Sequence, residues 1–204
     1  MVGPVCPREL EAAAFTSACT HGMNQTGRWG IITMDLKAHI RQIPDFPKAG
    51  ILFYDISTLL EAPAAWRAAV EQLAALVATH RPDRLVGIES RGFIVAAPIA
   101  LHLGVGFGMV RKRGKLPGSV VTHAYSLEYG MDTIEISADL IPSGSRVAVV
   151  DDLIATGGTA AATVELLRKI KAEPVAAVFL IELTKLNGRA KLDVPVETLL
   201  AYDT

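Results

Sequence analysis

Cysteine is scarce in this chain of 204 residues: Cys6 and Cys19 lie near the start, and none follows. A disulfide framework therefore cannot hold the body of the fold. That composition is typical of a reducing compartment, and we expect a cytoplasmic protein. An excess of charge of either sign is lacking too, since 20 Lys and Arg residues oppose 21 Asp and Glu residues. Without an overall basic field, neither nucleic acid nor an anionic membrane surface is an expected partner.

A long uninterrupted apolar run is also missing. Residues 93–110 carry no formal charge, but Pro98 and three glycines interrupt them, which indicates a buried helix followed by a buried strand. Residues 1–33 lack a sustained apolar core and a clear periodicity, so we expect a poorly ordered N-terminal extension without a secretory signal. Met34 opens the patterned part of the chain and is a candidate for the natural start. Residues 34–204 are predicted to form one domain.

Helical and extended patterns alternate along that domain. Helices are predicted over residues 35–43, 63–80 and 92–103 and in a segment ending at 171, and strands over residues 51–56, 84–89, 105–110, 147–150 and 175–183. This alternation predicts an α/β fold with a mainly parallel, twisted sheet flanked by helices, whose ligands bind beyond the carboxyl ends of the strands. The pattern lapses over residues 111–135. Because so long a connection is rare in a compact domain, we expect an irregular, flexible lid there.

The segment VAVVDDLIATGGT, residues 147–159, joins a buried strand to the start of a helix. Backbone N–H groups at such a turn lack partners and point into a crevice, so they bind phosphate, and glycines let the backbone approach it closely. The predicted phosphate loop consists of Ala155, Thr156, Gly157, Gly158 and Thr159. Asp151 and Asp152 would repel a phosphate but accept hydrogen bonds from hydroxyls, so the expected ligand is a sugar phosphate. The alternative is an ordinary strand-to-helix turn.

Two further segments follow predicted strands and so share the edge of the sheet with the phosphate loop. The first consists of Glu89, Ser90, Arg91 and Gly92. Its guanidinium and backbone N–H groups suit a second anion, although a surface arginine beside a turn glycine is the alternative. The second consists of Arg111, Lys112, Arg113 and Lys115. We prefer Arg111 and Lys115 as anion ligands, and the alternative is a solvated charge run.

A lone carboxylate, Glu128, lies within the predicted lid. If the lid closes over a heterocyclic base, desolvation would raise the pKa of Glu128 and let it exchange a proton with a ring nitrogen. The alternative is a mobile surface carboxylate without a role. The histidines of the chain show no spacing typical of a metal site.

The run from the strand through Asp-Asp to Thr-Gly-Gly-Thr is similar to the phosphoribosyl pyrophosphate (PRPP) signature of the type I phosphoribosyltransferases. Between residues 35 and 202 the chain also resembles the adenine phosphoribosyltransferase family in PDFPKAGILFYDIST, GIESRGF, VRKRGKLPG, YSLEYG and LIELTKLNGR, in the family's order. The resemblance implies the type I phosphoribosyltransferase fold, with a small N-terminal hood and a flexible catalytic loop. It also implies that adenine and PRPP react to give AMP and pyrophosphate, with Mg²⁺ bound mainly by PRPP, in a homodimer.

For the PRPP half of the site, the resemblance implies roles for the residues singled out above. Asp151 and Asp152 would face the ribose hydroxyls, and the phosphate loop would hold the 5-phosphate. The residues that bind pyrophosphate would be Glu89, Ser90, Arg91, Gly92, Arg111, Lys112 and Lys115. A cis peptide bond between Glu89 and Ser90 is also implied.

For the adenine half, the resemblance implies that Phe53 stacks on the base and that the Leu52 backbone binds its edge. Glu128 would exchange a proton near N7 and, with Arg91, would carry catalysis. One residue departs from the family, because many members carry Arg where this chain has Tyr54. The contact made at that position is therefore left open.

Two other functions fit the same residues. A PRPP-sensing regulator would keep the fold without the chemistry, but residues 1–33 are too short and too weakly charged for a winged-helix DNA-binding module. A transferase for guanine, xanthine or orotate would keep the mechanism and change the base. A few hydrogen bonds near Phe53 and residues 183–186 would decide between these bases.

Overall fold

The computed structural model describes residues 22–23, 29–30, 34–127 and 130–203. The chain divides into two units, Met1–Met34 and Asp35–Thr204. In the first unit, Gly22–Met23 (β1) pairs antiparallel with Trp29–Gly30 (β2). Apart from these four residues, the prediction of a poorly ordered extension over residues 1–33 falls outside the described part of the chain.

The second unit contains strands and helices in alternation. Its strands are Arg41–Pro44 (β3), Leu52–Asp55 (β4), Arg84–Ile88 (β5), Gly106–Lys112 (β6), Val120–Leu127 (β7), Gly130–Ser137 (β8), Arg146–Ile154 (β9), Glu173–Leu183 (β10) and Val196–Tyr202 (β11). Its α-helices are Ser57–Glu61 (α1), Pro63–Thr79 (α2), Arg91–Leu103 (α3) and Gly158–Lys169 (α4). Short 3-10 helices cover Leu36–His39, Thr184–Leu186 and Gly188–Lys191.

Seven of these strands form one sheet in the order β11-β10-β9-β5-β6-β8-β7. The strands from β11 to β6 run parallel, and β8 and β7 add an antiparallel hairpin beside β6. β3 and β4 form a separate antiparallel pair, which we call the hood. The predicted α/β fold with a mainly parallel sheet is therefore confirmed.

Alternate residues of the central strands face opposite layers of helices. Along β9, Ala148 and Val150 belong to the core that includes α2 and α3, whereas Val147 and Val149 belong to the core that includes α4. Because helices cover both faces, this stretch of the strand is apolar at every position. β5 and β9 then end at the same edge of the sheet, where the chain turns into α3 and α4.

The predicted helix over residues 35–43 is wrong. Asp35 accepts a hydrogen bond from the Lys37 N–H (3.0 Å), which caps a single 3-10 turn, and the chain then extends into β3. β3 pairs with β4, and the Arg41 guanidinium bonds the Asp55 carboxylate across the pair. Strand pairing with a distant segment here outweighs the local helical spacing of the apolar residues.

The predicted irregular structure of residues 111–135 is wrong for most of that segment, which lies in strands, whereas its closure as a lid stays a prediction. Residues 113–119 form a loop, after which β7 and β8 make the hairpin. Val121, His123 and Tyr125 are half-buried, while the residues between them are exposed. That period of two is a strand signal, which the polar composition of the segment obscures.

Helix α3 is only partly buried, although a buried helix was predicted. Val95 and Ile99 lie in the core, but Ile94 is 45% exposed and Leu101 is 85% exposed. Residues seven apart lie on one face of a helix, so Ile94 and Leu101 belong to one apolar stripe that faces solvent. Among the described residues, no helix is long and apolar enough to cross a membrane.

Candidate active site

The phosphate loop, residues 155–159, borders a cavity of about 270 Å³. The cavity lies at the carboxyl ends of β5, β6 and β9, where the topology of a parallel sheet gathers loops from separate parts of the chain. Asp151, Glu89, Arg111 and Lys112 line it together with the whole phosphate loop. Backbone donors, carboxylates and cationic side chains therefore surround one space.

The phosphate loop leads directly into α4. Gly157 takes a left-handed conformation (φ 75°) just before the helix, and the Ala161 N–H donates to the Gly157 carbonyl (2.9 Å) in the first turn. A Cβ atom at Gly157 would lie 2.1 Å from the carbonyl oxygen of Gly188. Glycine is thus required here to admit the backbone of a second loop, and the N–H groups of the first helical turn remain available to an anion.

The two predicted carboxylates lie within the last part of β9, because the strand runs to Ile154, beyond the predicted end at Val150. Asp151 lines the cavity, whereas Asp152 is buried and accepts a hydrogen bond from Arg91 (Nε–Oδ2 2.5 Å). Burial and the neighbouring Asp152 carboxylate raise the pKa of Asp151 well above its ordinary value. Asp151 is therefore the carboxylate that the cavity exposes to a ligand.

The segment from Glu89 to Gly92 packs against these carboxylates. The peptide bond between Glu89 and Ser90 is cis, as the sequence resemblance implied. A Cβ atom at Gly92 would lie 2.7 Å from Asp151 Oδ1, so glycine allows the start of α3 to approach β9 this closely. Arg91, at the start of α3, is thereby brought next to Asp152, which its Nε atom bonds.

The predicted cationic residues converge on the Glu89 carboxylate. Its Oε1 atom pairs with Arg111 Nη2 (2.9 Å) and Lys115 Nζ (3.3 Å), and its Oε2 atom accepts from the Lys112 N–H (2.9 Å). Burial raises the pKa of Glu89, but the hydrogen bonds from Arg111, the Lys112 backbone and Lys115 outweigh it and lower the pKa to about 2. One ionised carboxylate thus holds both preferred anion ligands beside the cavity.

The predicted base-binding residues Leu52 and Phe53 lie on β4, outside the lining of this cavity. Arg91 connects the two regions, since its guanidinium carbon lies 5.4 Å from the centre of the Phe53 ring while its Nε atom bonds Asp152. Phe46 packs its ring edge-on against Phe53, with the centroids 5.1 Å apart. The hood therefore presents an aromatic face next to the carboxylate end of the cavity.

Known proteins share this arrangement of elements. A family model described as a phosphoribosyl transferase domain matches residues 55–199. The adenine phosphoribosyltransferase of Rhodospirillum centenum is 62% identical over 171 residues, which cover 84% of this chain and 100% of that protein. The chain belongs to the adenine phosphoribosyltransferase family.

Solved structures of adenine phosphoribosyltransferases superimpose on the chain. The enzyme from Thermoanaerobacter pseudethanolicus does so with a TM-score of 0.80 at 44% identity, over 82% of this chain and 98% of that one. The Giardia lamblia enzyme, complexed with 9-deazaadenine, gives a TM-score of 0.79 at 36% identity, over 84% of this chain and 100% of that one. The fold seen here is thus the fold of the family.

Tyr54, which departs from the Arg common in adenine phosphoribosyltransferases, is turned away from Phe53. It is 2% exposed and packs on Tyr202, with the ring centroids 4.3 Å apart. Because successive side chains of a strand point to opposite sides, Phe53 faces Arg91 while Tyr54 joins the hood to the end of β11. The contact at this position is a core contact.

Two hairpin residues in the site escaped prediction. Tyr125 and Asp132 line the cavity, and the Tyr125 hydroxyl lies 3.1 Å from Thr159 Oγ1 and 3.5 Å from Asp132 Oδ2. Lys112 pairs with Asp132 (3.3 Å), and burial raises the pKa of Tyr125. The alternation of residue types along β7 is the signal that could have identified Tyr125.

Glu128, the predicted proton-exchanging residue, lies outside the described residues.

Proposed function

We propose that this chain transfers the 5-phosphoribosyl group from PRPP to adenine, giving AMP and pyrophosphate, as an enzyme of purine salvage. The observation that carries the proposal is a single cavity bordered by the phosphate loop, the Asp151 carboxylate and the Arg111 guanidinium. A molecule with a phosphate, ribose hydroxyls and a second anionic group fits those three partners. Membership of the adenine phosphoribosyltransferase family supports adenine as the base.

In the proposed complex, the phosphate loop binds the 5-phosphate through backbone N–H groups and the dipole of α4. Asp151 accepts hydrogen bonds from the ribose hydroxyls. Arg111 and Lys115 bind the pyrophosphate, and in its absence Glu89 keeps both cations in place. Tyr125, next to Thr159, is close enough to the loop to restrict access of water to the 5-phosphate end.

During transfer, the bond between C1 of the ribose and the pyrophosphate oxygen breaks, and a bond from adenine N9 to C1 forms. Negative charge then accumulates on the leaving pyrophosphate, where Arg111 and Lys115 neutralise it. Adenine must lose a proton in the same reaction, and Glu128 near N7 is the proposed partner in that exchange. Phe53 would hold the base by stacking, with Leu52 at its edge and Arg91 between base and ribose.

Mg²⁺ is proposed to accompany PRPP. Among the described residues, no group of three or more His, Cys, Asp or Glu side chains is placed to hold a metal ion. Asp151 and Glu89 do offer carboxylate oxygens at the cavity, and Mg²⁺ commonly takes one or two such ligands when substrate phosphates supply the rest. The residues present thus fit an ion held mainly by the substrate, and a bound ion would help to neutralise the pyrophosphate.

We further infer a homodimer in the cytoplasm that acts without nucleic acid or membrane. The apolar stripe of α3 supports self-association, because contiguous exposed apolar surface commonly marks a protein interface. The scarcity of cysteine supports a reducing compartment, and the balanced charge supports the absence of nucleic acid.

The test of the proposed activity is steady-state formation of nucleoside monophosphate from PRPP and Mg²⁺. Adenine, hypoxanthine, guanine, xanthine and orotate are offered in parallel, with and without EDTA. We expect AMP from adenine, no product from the other bases, and loss of turnover with EDTA. Turnover with another base would refute the specificity alone, whereas PRPP binding without any turnover would favour the regulator.

A further inference from the structure

The loop between β6 and β7 carries Lys115, one of the two cations that meet at Glu89, and a buried carboxylate shapes that loop. Glu135, on β8, lies opposite Arg111 in the register of β6 and β8 and is only 2% exposed. Its side chain accepts hydrogen bonds from three consecutive backbone N–H groups, those of Gly114 (3.0 Å), Lys115 (2.8 Å) and Leu116 (2.8 Å).

Three successive N–H groups on one carboxylate form a concave anion site within the chain itself. Burial raises the pKa of Glu135, but the backbone hydrogen bonds from Gly114, Leu116 and Lys115 outweigh it and lower the pKa. The carboxylate is therefore ionised at neutral pH, and its hydrogen bonds hold residues 114–116 in a turn about its two oxygens. Gly114 adopts a left-handed conformation within this turn (φ 79°).

The shape of this turn determines where the two cations lie. The Lys115 carbonyl accepts a hydrogen bond from Arg111 Nη1 (2.9 Å), while Arg111 Nη2 and Lys115 Nζ lie 2.9 Å and 3.3 Å from the same Glu89 oxygen. Backbone and side chain of Lys115 are thus both fixed relative to Arg111. Without Glu135, three consecutive backbone N–H groups would lose their acceptor and the turn would lose this shape.

We propose that Glu135 is a positioning residue for the leaving pyrophosphate, which acts by fixing the turn of residues 114–116 so that Arg111 and Lys115 meet one anionic oxygen. The proposal rests on the proposed function, in which those two cations bind pyrophosphate. Glu135 itself touches no substrate. Its effect should therefore appear in the affinity for pyrophosphate and PRPP and leave the affinity for adenine unchanged.

The first variant is Glu135→Gln, which keeps the size of the side chain. Its terminal nitrogen donates hydrogen bonds and cannot accept them, so one of the two acceptor atoms of the carboxylate is lost. The second is Gly114→Ala, which strains the same turn from its open side, where a Cβ atom meets nothing within 4 Å, and leaves the buried carboxylate intact. The matched control is Gly118→Ala, with the same left-handed backbone (φ 75°) in the same loop and equally open space, but no bond to Glu135.

Calorimetric binding of pyrophosphate and of PRPP, together with KM for PRPP and for adenine, is measured in all three variants and in the wild type. We expect Glu135→Gln and Gly114→Ala to weaken pyrophosphate and PRPP binding about tenfold, with adenine KM within about twofold and Gly118→Ala unchanged. Gly114→Ala keeps the proposal testable if Glu135→Gln does not fold.

Unchanged pyrophosphate binding in Gly114→Ala, or equal losses for PRPP and adenine in both variants, would overturn the proposal and assign Glu135 a purely structural role. An equal loss in Gly118→Ala would do the same. A wild-type chain that binds no pyrophosphate would overturn it too. A wild-type chain that binds pyrophosphate but forms no AMP refutes only the proposed function, because the binding comparison among variants still decides the role of Glu135.

Discussion

Asp151 lines the cavity that is proposed to bind PRPP, in a position where its own negative charge is unfavourable. Burial and Asp152 raise its pKa, so the folded chain holds its ionised form at a cost. A carboxyl group whose pKa is higher in the folded than in the unfolded chain loses native stability as the pH rises from the unfolded pKa through the folded one. At neutral pH this cost is present, and in strong acid, where the carboxyl is protonated in both states, it is absent.

The variant Asp151→Asn should therefore be more stable and less active. We expect its Tm to exceed that of the wild type by about 3 °C at neutral pH, with the difference vanishing near about pH 2, below the pKa of an unfolded Asp. AMP formation should fall about a hundredfold, because the amide cannot bind ribose hydroxyls as a carboxylate does. Differential scanning calorimetry at both pH values and initial rates provide the measurements.

The neighbouring Asp152→Asn is the control for that prediction. It removes the repulsion with Asp151 but also the ion pair between Arg91 and a buried carboxylate, and because the lost ion pair outweighs that relief, Tm at neutral pH should fall. A gain in stability shared by both variants would show that the local electrostatics are not as described. No gain in Asp151→Asn would contradict the raised pKa.

Gly188 supports the phosphate loop from outside the signature segment. A Cβ atom at Gly188 would lie 2.2 Å from the Ala155 carbonyl oxygen, so Gly188→Ala must push the two loops apart. We expect KM for PRPP to rise about tenfold, because displacing a binding loop by a fraction of an ångström misplaces its N–H donors. Steady-state kinetics with PRPP varied at saturating adenine measure this.

Gly144→Ala serves as the comparison for Gly188→Ala. Gly144 has a left-handed backbone (φ 80°) and open space around it, and it lies in the loop before β9, at the opposite end of that strand from the site. The substitution Gly144→Ala should lower the free energy of unfolding by about 1 kcal/mol and leave KM for PRPP unchanged. If Gly188→Ala behaves like Gly144→Ala, the contact between the loops does not shape the phosphate site.

At the scale of elements, the two faces of strand β4 have different contacts: one is proposed to bind adenine, and the other attaches the hood to the rest of the domain. Phe53 faces Arg91, while Tyr54 packs against Tyr202 on β11 and Lys37 bonds the Ala201 carbonyl (2.7 Å). The hood is therefore held by the face opposite to the one that is proposed to bind adenine. Loosening the contact between Tyr54 and Tyr202 should therefore weaken the binding of adenine more than the binding of PRPP.

Tyr54→Ala tests this separation. Removing a buried aromatic ring should cost about 3 kcal/mol of stability and, by freeing β4, raise KM for adenine severalfold while KM for PRPP changes little. Leu166→Ala, in the core that includes α4, should cost a similar amount without affecting adenine. Urea denaturation and kinetics with each substrate varied provide the comparison, and equal changes in both KM values would argue against the anchoring role.

How far the sequence could predict the structure depended on how deeply each element is buried. The elements from β5 to β10 outside the hairpin were predicted, because strands and helices buried in a parallel sheet carry strong apolar patterns. β3 is mostly exposed, β11 and the hairpin are partly buried, and all of them depend on pairing with distant segments, which no local pattern reports. Within the site, residue types at strand ends predicted the phosphate loop and the cations that meet at Glu89. Glu135 and Gly188 act through backbone contacts made only in the fold, so nothing local marked them.

At the scale of the whole molecule, α3 leaves an apolar surface open to solvent. Leu101 borders a shallow groove of about 560 Å³ between α2 and α3, with Trp66, Val70 and Pro98 in its lining. An isolated exposed leucine needs no explanation, but Leu101 shares its helix face with the exposed Ile94 and borders this mainly apolar groove, which is typical of an interface. For this chain the proposed partner is a second copy.

Leu101→Glu tests that interface. Because Leu101 is 85% exposed in the single chain, the substitution should leave the fold intact. In a dimer it would bury an unpaired charge, so we expect the dissociation constant of the homodimer to rise about a hundredfold. Analytical ultracentrifugation over a range of concentrations measures it, with Leu140→Glu, on a residue that is 44% exposed away from α3, as the control. A wild-type chain that remains monomeric would refute the homodimer, and a Leu101→Glu variant that still dimerises would place the interface elsewhere.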